Sequence, residues 1–415
     1  MFVRYLVAVS AVAVVIGFIS RRLDELPVSE ALLSLVVGVV LGPEVLGVLQ
    51  MPREPQPLLF ELSRVLLAFT LMTVGLRYPK EVVRERAWSV ALLLAVAMPV
   101  MALVSSALAF WLLALPLAHA VLLGSMLSPT DPVLASSVVT GPLAEEALPG
   151  RARQLLSLES GANDGLAMVL VMAGFVLATD RPGGYWLLHG LASVVGGTAL
   201  GAGLGTGAAV TLRHVRRLEY HHETTFPLFT LTFALFVLGV AELLRVDSIL
   251  AVFVAGIAYN LGITEDERMP QHHIEEGVDR VLLLPVFTLF GVALPWDAWL
   301  RLGWPSLIFL VGVLLLRRLP VIVAIRRPLR LSFGDAVWLG WFGPIGIAAL
   351  YYFTYMAQKG VQDTTIWAAG SMVIAASTLS HGMTTLPGRR VYEKLSHDED
   401  ATSSESGTEA AKTDS

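Results

Sequence analysis

The 415-residue chain has no cysteine, and only 15% of its residues are charged. The first absence excludes disulfides and thiolate metal sites. The second sets the chain apart from soluble domains, in which about a quarter of the residues are charged. In place of charge there is apolar surface: 55% of the residues are hydrophobic, and they come in long runs rather than alternating with polar ones. Each run is close to the roughly 20 residues that cross a bilayer as a helix. The composition therefore predicts an all-α polytopic membrane protein that needs a lipid bilayer. Nothing in it points to nucleic acid or to a cofactor. The formal net charge of −5 says less than the positions of the charges.

Hydropathy predicts about 13 transmembrane helices, at approximately 2–20, 30–49, 58–76, 87–114, 118–140, 154–178, 185–212, 224–244, 247–263, 278–295, 303–324, 333–356 and 365–387. The first run lacks a small-residue cleavage site and is followed directly by Arg21-Arg22, so it reads as a retained span. An odd count puts the termini on opposite sides. With the N-terminus outside, the outer segments hold only Arg4, Arg53, Arg181, Arg245, Arg301 and Lys359, against eighteen Lys and Arg in the inner loops. That asymmetry predicts an outside N-terminus and a cytoplasmic C-terminus. From 389 to 415 the composition turns to Asp, Glu, Ser and Thr, which predicts a disordered cytoplasmic tail.

Two spans contain acids that hydrocarbon disfavours by several kcal/mol unless they face a partner or water. Ser128-Pro129-Thr130-Asp131-Pro132 lies in the fifth, and Glu159-Ser160-Gly161-Ala162-Asn163-Asp164 in the sixth. Thirteen spans divide as six, one and six. At the place matching Pro129–Pro132 in the first set, the second set carries Gly343-Pro344-Ile345-Gly346. Proline removes a donor and clashes with the preceding turn, so both helices should break inside the membrane. Interrupted helices at corresponding places in two halves point to a transporter's binding site. Asp131 would compensate the positive half-helix ends there.

Ser160 and Asp164 are spaced i, i+4, as are Glu159 and Asn163, so each pair shares a helix face. The Ser160 hydroxyl, the Asn163 amide carbonyl and the Asp164 carboxylate could present oxygen to one point. Backbone carbonyls freed at the Thr130 break could add more. Oxygen ligands suit a hard cation such as Na⁺. Asp164 is the better candidate for a shared site, because a desolvated carboxylate holds a proton when no cation is bound. One carboxylate that takes either H⁺ or Na⁺ is enough to couple their exchange. Glu159 needs a different role. Arg317 and Arg318 follow fourteen uncharged residues in the eleventh span, and an arginine at that depth needs a carboxylate. Glu159 with Arg318 is the preferred structural ion pair; Arg317 is the alternative partner, or snorkels toward the inner face.

Other features carry less. Glu61/Arg64 and Glu242/Arg245 read as local i, i+3 ion pairs near span ends. Gly201, Gly203, Gly205 and Gly207 read as a close-packing helix face rather than a phosphate loop. His272, His273 and Glu276 read as a solvated loop, and His381 as a helix-packing donor.

Thr130-Asp131-Pro132-Val133-Leu134-Ala135-Ser136, followed by Glu159-Ser160-Gly161-Ala162-Asn163-Asp164-Gly165, resembles the monovalent cation:proton antiporters of the first cation-proton-antiporter family, the NhaP-like sodium/proton exchangers. Leu250–Gly256, Gly340–Pro344 and Ser380-His381-Gly382 match the same family, and the resemblance spans about residues 5 to 388. It implies two inverted six-helix repeats with crossed, unwound fifth and twelfth helices. It also implies a core of helices at about 87–178 and 303–388 moving like an elevator against a dimerising scaffold at about 1–76 and 224–295, with 185–212 as the linking helix. By the same resemblance Asp164 carries the cation or proton, Thr130 and Ser160 are Na⁺ ligands, Asn163 organises the site and Glu159 pairs with Arg318. The Asn163-Asp164 form, in place of two adjacent aspartates, implies electroneutral exchange. The implied protein is a homodimer in the cell membrane that exchanges Na⁺, with Li⁺ or K⁺ as alternatives, for H⁺. Two positions depart from the pattern. Ile345 stands where many members have arginine, and Thr73 where many have an acid.

Two readings from other classes compete. An intramembrane aspartyl protease would need Asp131 and Asp164 within reach of one water. A passive cation channel would need a filter of carbonyls.

Overall fold

The computed structural model describes residues 29–50, 56–131, 134, 150–179, 183–217, 226–263 and 272–384, with scattered residues between 7 and 18. Most of the expected first span, most of the segment after Asp131 up to 149 and the acidic tail lie outside the described residues, as do the side chains of His272, His273 and Glu276. Every regular element among the described residues is helical.

The helices, in chain order, are α1 (Glu30–Leu41), α2 (Gln56–Arg77), α3 (Lys80–Leu112), α4 (Leu117–Met126), α5 (Gly150–Ala178), α6 (Gly183–Arg217) and α7 (Phe226–Leu243). They continue with α8 (Ser248–Asn260), α9 (His272–Val292), α10 (Trp296–Leu302), α11 (Trp304–Leu316), α12 (Leu319–Ala324), α13 (Phe333–Trp341), α14 (Ile347–Gln358) and α15 (364–384). Five stretches among the described residues are long and apolar enough to cross a bilayer unaided. The others are shorter or interrupted, so the count of thirteen spans is not reproduced helix for helix.

Each interruption has a local cause. Span 303–324, expected to be continuous, is split at Arg317-Arg318 into α11 and α12, because Pro320 occupies the first turn of α12 and supplies no donor. The 278–295 span ends at Val292 and bends by 60° into α10. Residues 333–356 divide into α13 and α14 at Pro344, and α4 ends at Met126 before Pro129. Within α3 a π-turn over Leu93–Ala97 precedes Pro99, whose ring excludes the ordinary hydrogen-bonding register one turn back. Helix starts are capped by side chains: Ser29 accepts from the Leu32 amide, Asp247 from the Leu250 amide, and Ser332 with Asp335 forms a capping box.

The helices differ in how far they are enclosed. In their most apolar stretches, 72% of the residues are buried in α2 and 61% in α5, against 22% in α6 and 28% in α11–α12. α2 and α5 are therefore interior, as are the mostly buried α8 and α14, whereas α6 and α11–α12 present apolar side chains outward. α5 is held by α4 and α6, while α2 is held by α8, α9 and α14. The glycines of α6 allow it to approach α8: a β-carbon at Gly201 or Gly205 would lie 2.3 Å from the carbonyl oxygen of Ala251 or Ala255. Gly203 and Gly207 face open space.

The basic residues gather at one end. Arg77 donates to Ser157 Oγ (2.9 Å), Arg86 to Gln154 Oε1 (2.9 Å), and Arg151 to the Leu329 carbonyl (2.9 Å). This joins the starts of α3 and α5 to the turn after α12. Arg64 pairs with Glu61 and, at 3.2 Å, with Glu242. Glu242 also accepts from Ser248 (2.8 Å), and no Glu242–Arg245 ion pair is found among the described residues. The expected i, i+3 pair at Glu242 is thereby replaced by a bridge between α2 and α7.

Replacing Gly205 by leucine should lower the thermal unfolding temperature of the detergent-solubilised protein by several degrees. Gly203→Leu should leave it near wild type. Fluorescence melting of both variants checks the α6–α8 contact.

Candidate ion-binding site

The two proline-interrupted segments meet inside the bundle. Beyond α4 the chain runs through Ser128, Pro129 and Thr130 to Asp131, whose N–H donates to the Pro344 carbonyl (2.9 Å). Both ends left open by these breaks are closed by charged side chains. Arg317, 3% exposed, donates to the Leu127, Ser128 (3.2 Å) and Pro129 (3.2 Å) carbonyls beyond α4 and to the Gly343 carbonyl beyond α13 (2.6 Å). Its guanidinium thus sits at two helix C-termini, where cations are favoured. Asp131, 1% exposed, accepts from the Ile347 amide at the start of α14 and from the Leu134 amide (3.4 Å). Here an anion sits where the N-terminus of α14 exposes donors.

Glycine makes this closeness possible. A β-carbon at Gly346 would lie 2.0 Å from Asp131 Oδ2, and one at Gly343 would lie 2.2 Å from Arg318 Cδ. Arg318 makes the bidentate contact with Glu159, Nη1 to Oε1 and Nη2 to Oε2, both at 2.8 Å, and its Nε donates to the Leu339 carbonyl (3.1 Å). Both side chains are buried, and Glu159 is fully so. A guanidinium matched to both carboxylate oxygens is the strong form of such a pair.

Asn163 links this pair to the break. Its amide nitrogen donates to Glu159 Oε1 (3.0 Å) and to Thr130 Oγ1 (2.8 Å), and its oxygen accepts from the Thr130 amide (3.3 Å). Thr130 Oγ1 lies 2.9 Å from Ser160 Oγ. Ser160 and Asp164 follow one another on the same face of α5. Both oxygens of Asp164 are fully buried and accept no hydrogen bond among the described residues. The backbone carbonyl of Asp164 accepts from the Tyr352 hydroxyl.

Several expected positions are placed differently. The Asn163 carbonyl is turned to the Thr130 amide rather than toward Asp164. The Leu127, Ser128 and Pro129 carbonyls, expected to be free, accept from Arg317 instead. Arg317 does not snorkel. Asp131 directs its carboxylate at backbone amides, and a catalytic pair with Asp164 would need it elsewhere. Ile345 is buried with its amide donating to Ser377 Oγ (2.7 Å), and Thr73 donates to the Thr70 carbonyl (2.8 Å). His381 ties α15 to α13 through the Trp341 carbonyl (2.9 Å). Among the described residues no cluster of His and acids has metal-holding geometry. Tyr352 has no sequence signal at all, and the double role of Arg317 depends on a crossing that only the fold shows.

Two interrupted segments thus meet in a helical bundle beside a buried carboxylate that has no hydrogen-bond partner among the described residues. The chain belongs to the family described as "Sodium/hydrogen exchanger, transmembrane", which matches residues 8–387, and it is an integral membrane protein. It is 30% identical over 346 residues to Na(+)/H(+) antiporter 2 of Zygosaccharomyces rouxii, covering 79% of this chain and 42% of that one. It is 27% identical to a Na(+)/H(+) antiporter of Schizosaccharomyces pombe, covering 86% and 84%, and 22% identical to the K(+)/H(+) antiporter NhaP2 of Shewanella sp. ANA-3, covering 86% and 61%. The chain spans less than half the length of the first curated relatives it matches. The structure of the sodium proton antiporter MjNhaP1 from Methanocaldococcus jannaschii at pH 8 superposes with a TM-score of 0.76 at 17% identity, over 95% of this chain and 99% of that one, and so has the same fold.

Arg318→Met should strand Glu159 in the interior and cost about 3–5 kcal/mol, the usual penalty for breaking one side of a buried pair. The double variant Glu159→Gln/Arg318→Met should recover part of that loss. Chemical denaturation in detergent compares the two.

Proposed function

We propose that the protein exchanges a monovalent cation, Na⁺ first, for H⁺ across the cell membrane. The carrying observation is the contrast among the three buried acids at the break, Asp131, Glu159 and Asp164. Glu159 is neutralised by Arg318, and Asp131 is held by backbone amides. Asp164 alone has both oxygens without a donor among the described residues. A carboxylate so placed is unfavourable as a bare anion, and either a proton or a cation relieves it. Occupancy by one excludes the other, which couples the two fluxes.

In this reading Thr130 and Ser160 supply hydroxyl oxygens beside Asp164, and Asn163 holds Thr130 in place rather than binding the cation itself. Asp131 and Arg317 maintain the crossing. Since only Asp164 changes its occupant, one proton is exchanged per cation and the cycle is electroneutral. The relatives named Na⁺/H⁺ and K⁺/H⁺ antiporters support the substrate class, and the Arg77–Arg86–Arg151 end supports a cytoplasmic face there. Alternating access by an elevator-like movement of the core helices, in a homodimer, completes the proposal.

In proteoliposomes carrying an imposed pH gradient, added Na⁺ should dissipate the gradient at a rate insensitive to a clamped membrane potential. Asp164→Asn should lower that rate to the protein-free level. Retained exchange in Asp164→Asn would move the site elsewhere, and no response to Na⁺, Li⁺ or K⁺ would remove the proposal.

A further inference from the structure

A second carboxylate shares the unusual condition of Asp164. Asp247 is 3% exposed, and its Oδ2 is buried without a hydrogen-bond partner among the described residues. Its Oδ1 is accounted for, because it accepts from the Leu250 amide (2.9 Å) and caps α8. The cap needs one oxygen, and the other remains in the interior.

Asp247 is enclosed. Its amide donates to the Ser193 carbonyl of α6 (3.1 Å), and a β-carbon at Gly197 would lie 2.4 Å from its own carbonyl oxygen. The nearby cation does not serve it, since Arg64 pairs with Glu61 and Glu242. The residues within electrostatic reach of Asp247 include Tyr351, Tyr352 and Tyr355 of α14 and Glu242 of α7. One of them, Tyr352, donates to the Asp164 carbonyl.

Packing fixes where Asp247 stands relative to Asp164. Leu250 lies directly over Gly165, where a β-carbon would be 2.6 Å from Leu250 Cβ. Gly165 adjoins Asp164, and Asp247 precedes Leu250 by three residues, about one helical turn. Asp247 thus stands on the α8 side of the α5–α8 contact, displaced toward the α7–α8 turn, and Tyr352 is within electrostatic reach of both acids.

We propose that Asp247 is a second binding carboxylate for the transported monovalent cation, holding it on the way between the α7–α8 end of the protein and Asp164. The free Oδ2 and backbone oxygens of the α7–α8 turn offer the hard oxygen donors such a cation takes. The proposal rests on Asp164 being the exchanging site, and it adds a station that Asp164 alone does not require.

The test uses purified full-length protein in proteoliposomes on a solid-supported membrane, with Na⁺ concentration jumps. Asp164→Asn stops turnover, so any remaining charge displacement reports binding alone. A rapid Na⁺-dependent displacement should persist in Asp164→Asn and disappear in Asp164→Asn/Asp247→Asn. In the otherwise native protein, Asp247→Asn should raise the apparent KM for Na⁺ about tenfold, with a much smaller effect on kcat, and Asp247→Glu should recover part of it. Asn keeps the oxygen that caps α8, and Asp247→Ser supplies a second uncharged cap in case Asn misfolds. Equal displacement in the single and double variants, or an unchanged KM in both uncharged variants, would reduce Asp247 to a protonated structural cap. Continued exchange by Asp164→Asn would instead overturn the reading of Asp164 on which the proposal rests.

Discussion

The meeting of two proline-interrupted segments, Leu127–Asp131 and Phe342–Gly346, is the constraint on which the rest of this structure depends. The breaks leave bare carbonyls beyond α4 and α13 and bare amides at the start of α14, each such helix end equivalent to about half an elementary charge. In lipid no water relieves them. Arg317 meets the carbonyl ends beyond α4 and α13, while Asp131 meets the amide ends at Ile347 and Leu134. One cation and one anion thereby replace the continuous backbone ladder that an unbroken helix would have had. Glycine at 343 and 346 is the steric condition for it, since a β-carbon there would occupy the positions of Arg318 and Asp131.

With the helix ends satisfied, the remaining charges divide by role. Arg318 has Glu159 for a partner, which leaves it no part in neutralising Asp164. Asn163 spends its donors on Glu159 and Thr130, and its acceptor on the Thr130 amide. A rigid frame therefore extends from Arg318 through Glu159 and Asn163 to Thr130 and Ser160. Asp164 lies at its edge with no donor to its carboxylate among the described residues. Under the proposed exchange, that allocation leaves a proton or cation as the partner of Asp164, and rigidity around it limits the cost of changing one occupant for the other.

Much of this is legible in the sequence because hydrocarbon makes polar residues conspicuous. The helical class follows from run length, the breaks from Pro129 and Pro344, and the interest of Asp164 and Glu159 from two acids within one apolar span. Of the four glycines read as a close-packing face, Gly201 and Gly205 pack against α8, while Gly203 and Gly207 face open space. Legibility fails where a residue's role depends on what the fold brings opposite it. Arg317 and Arg318 are adjacent and chemically identical, yet the split between α11 and α12 sends one to carbonyls and the other to Glu159. Glu242 is taken by Arg64 of α2, 178 positions earlier, rather than by its neighbour Arg245. The Asn163 amide has two orientations that spacing cannot separate, and only the position of the Thr130 amide selects one.

The central claim is that one carboxylate, Asp164, holds either a proton or a cation. The most direct measurement is proton release on Na⁺ addition to the purified, unbuffered protein near neutral pH, read by a pH indicator alongside Na⁺ binding in the same sample. The account predicts release of about one proton per Na⁺ bound at that site, with the release lost in Asp164→Asn. Sodium binding with no proton release, or undiminished release from Asp164→Asn, would contradict it.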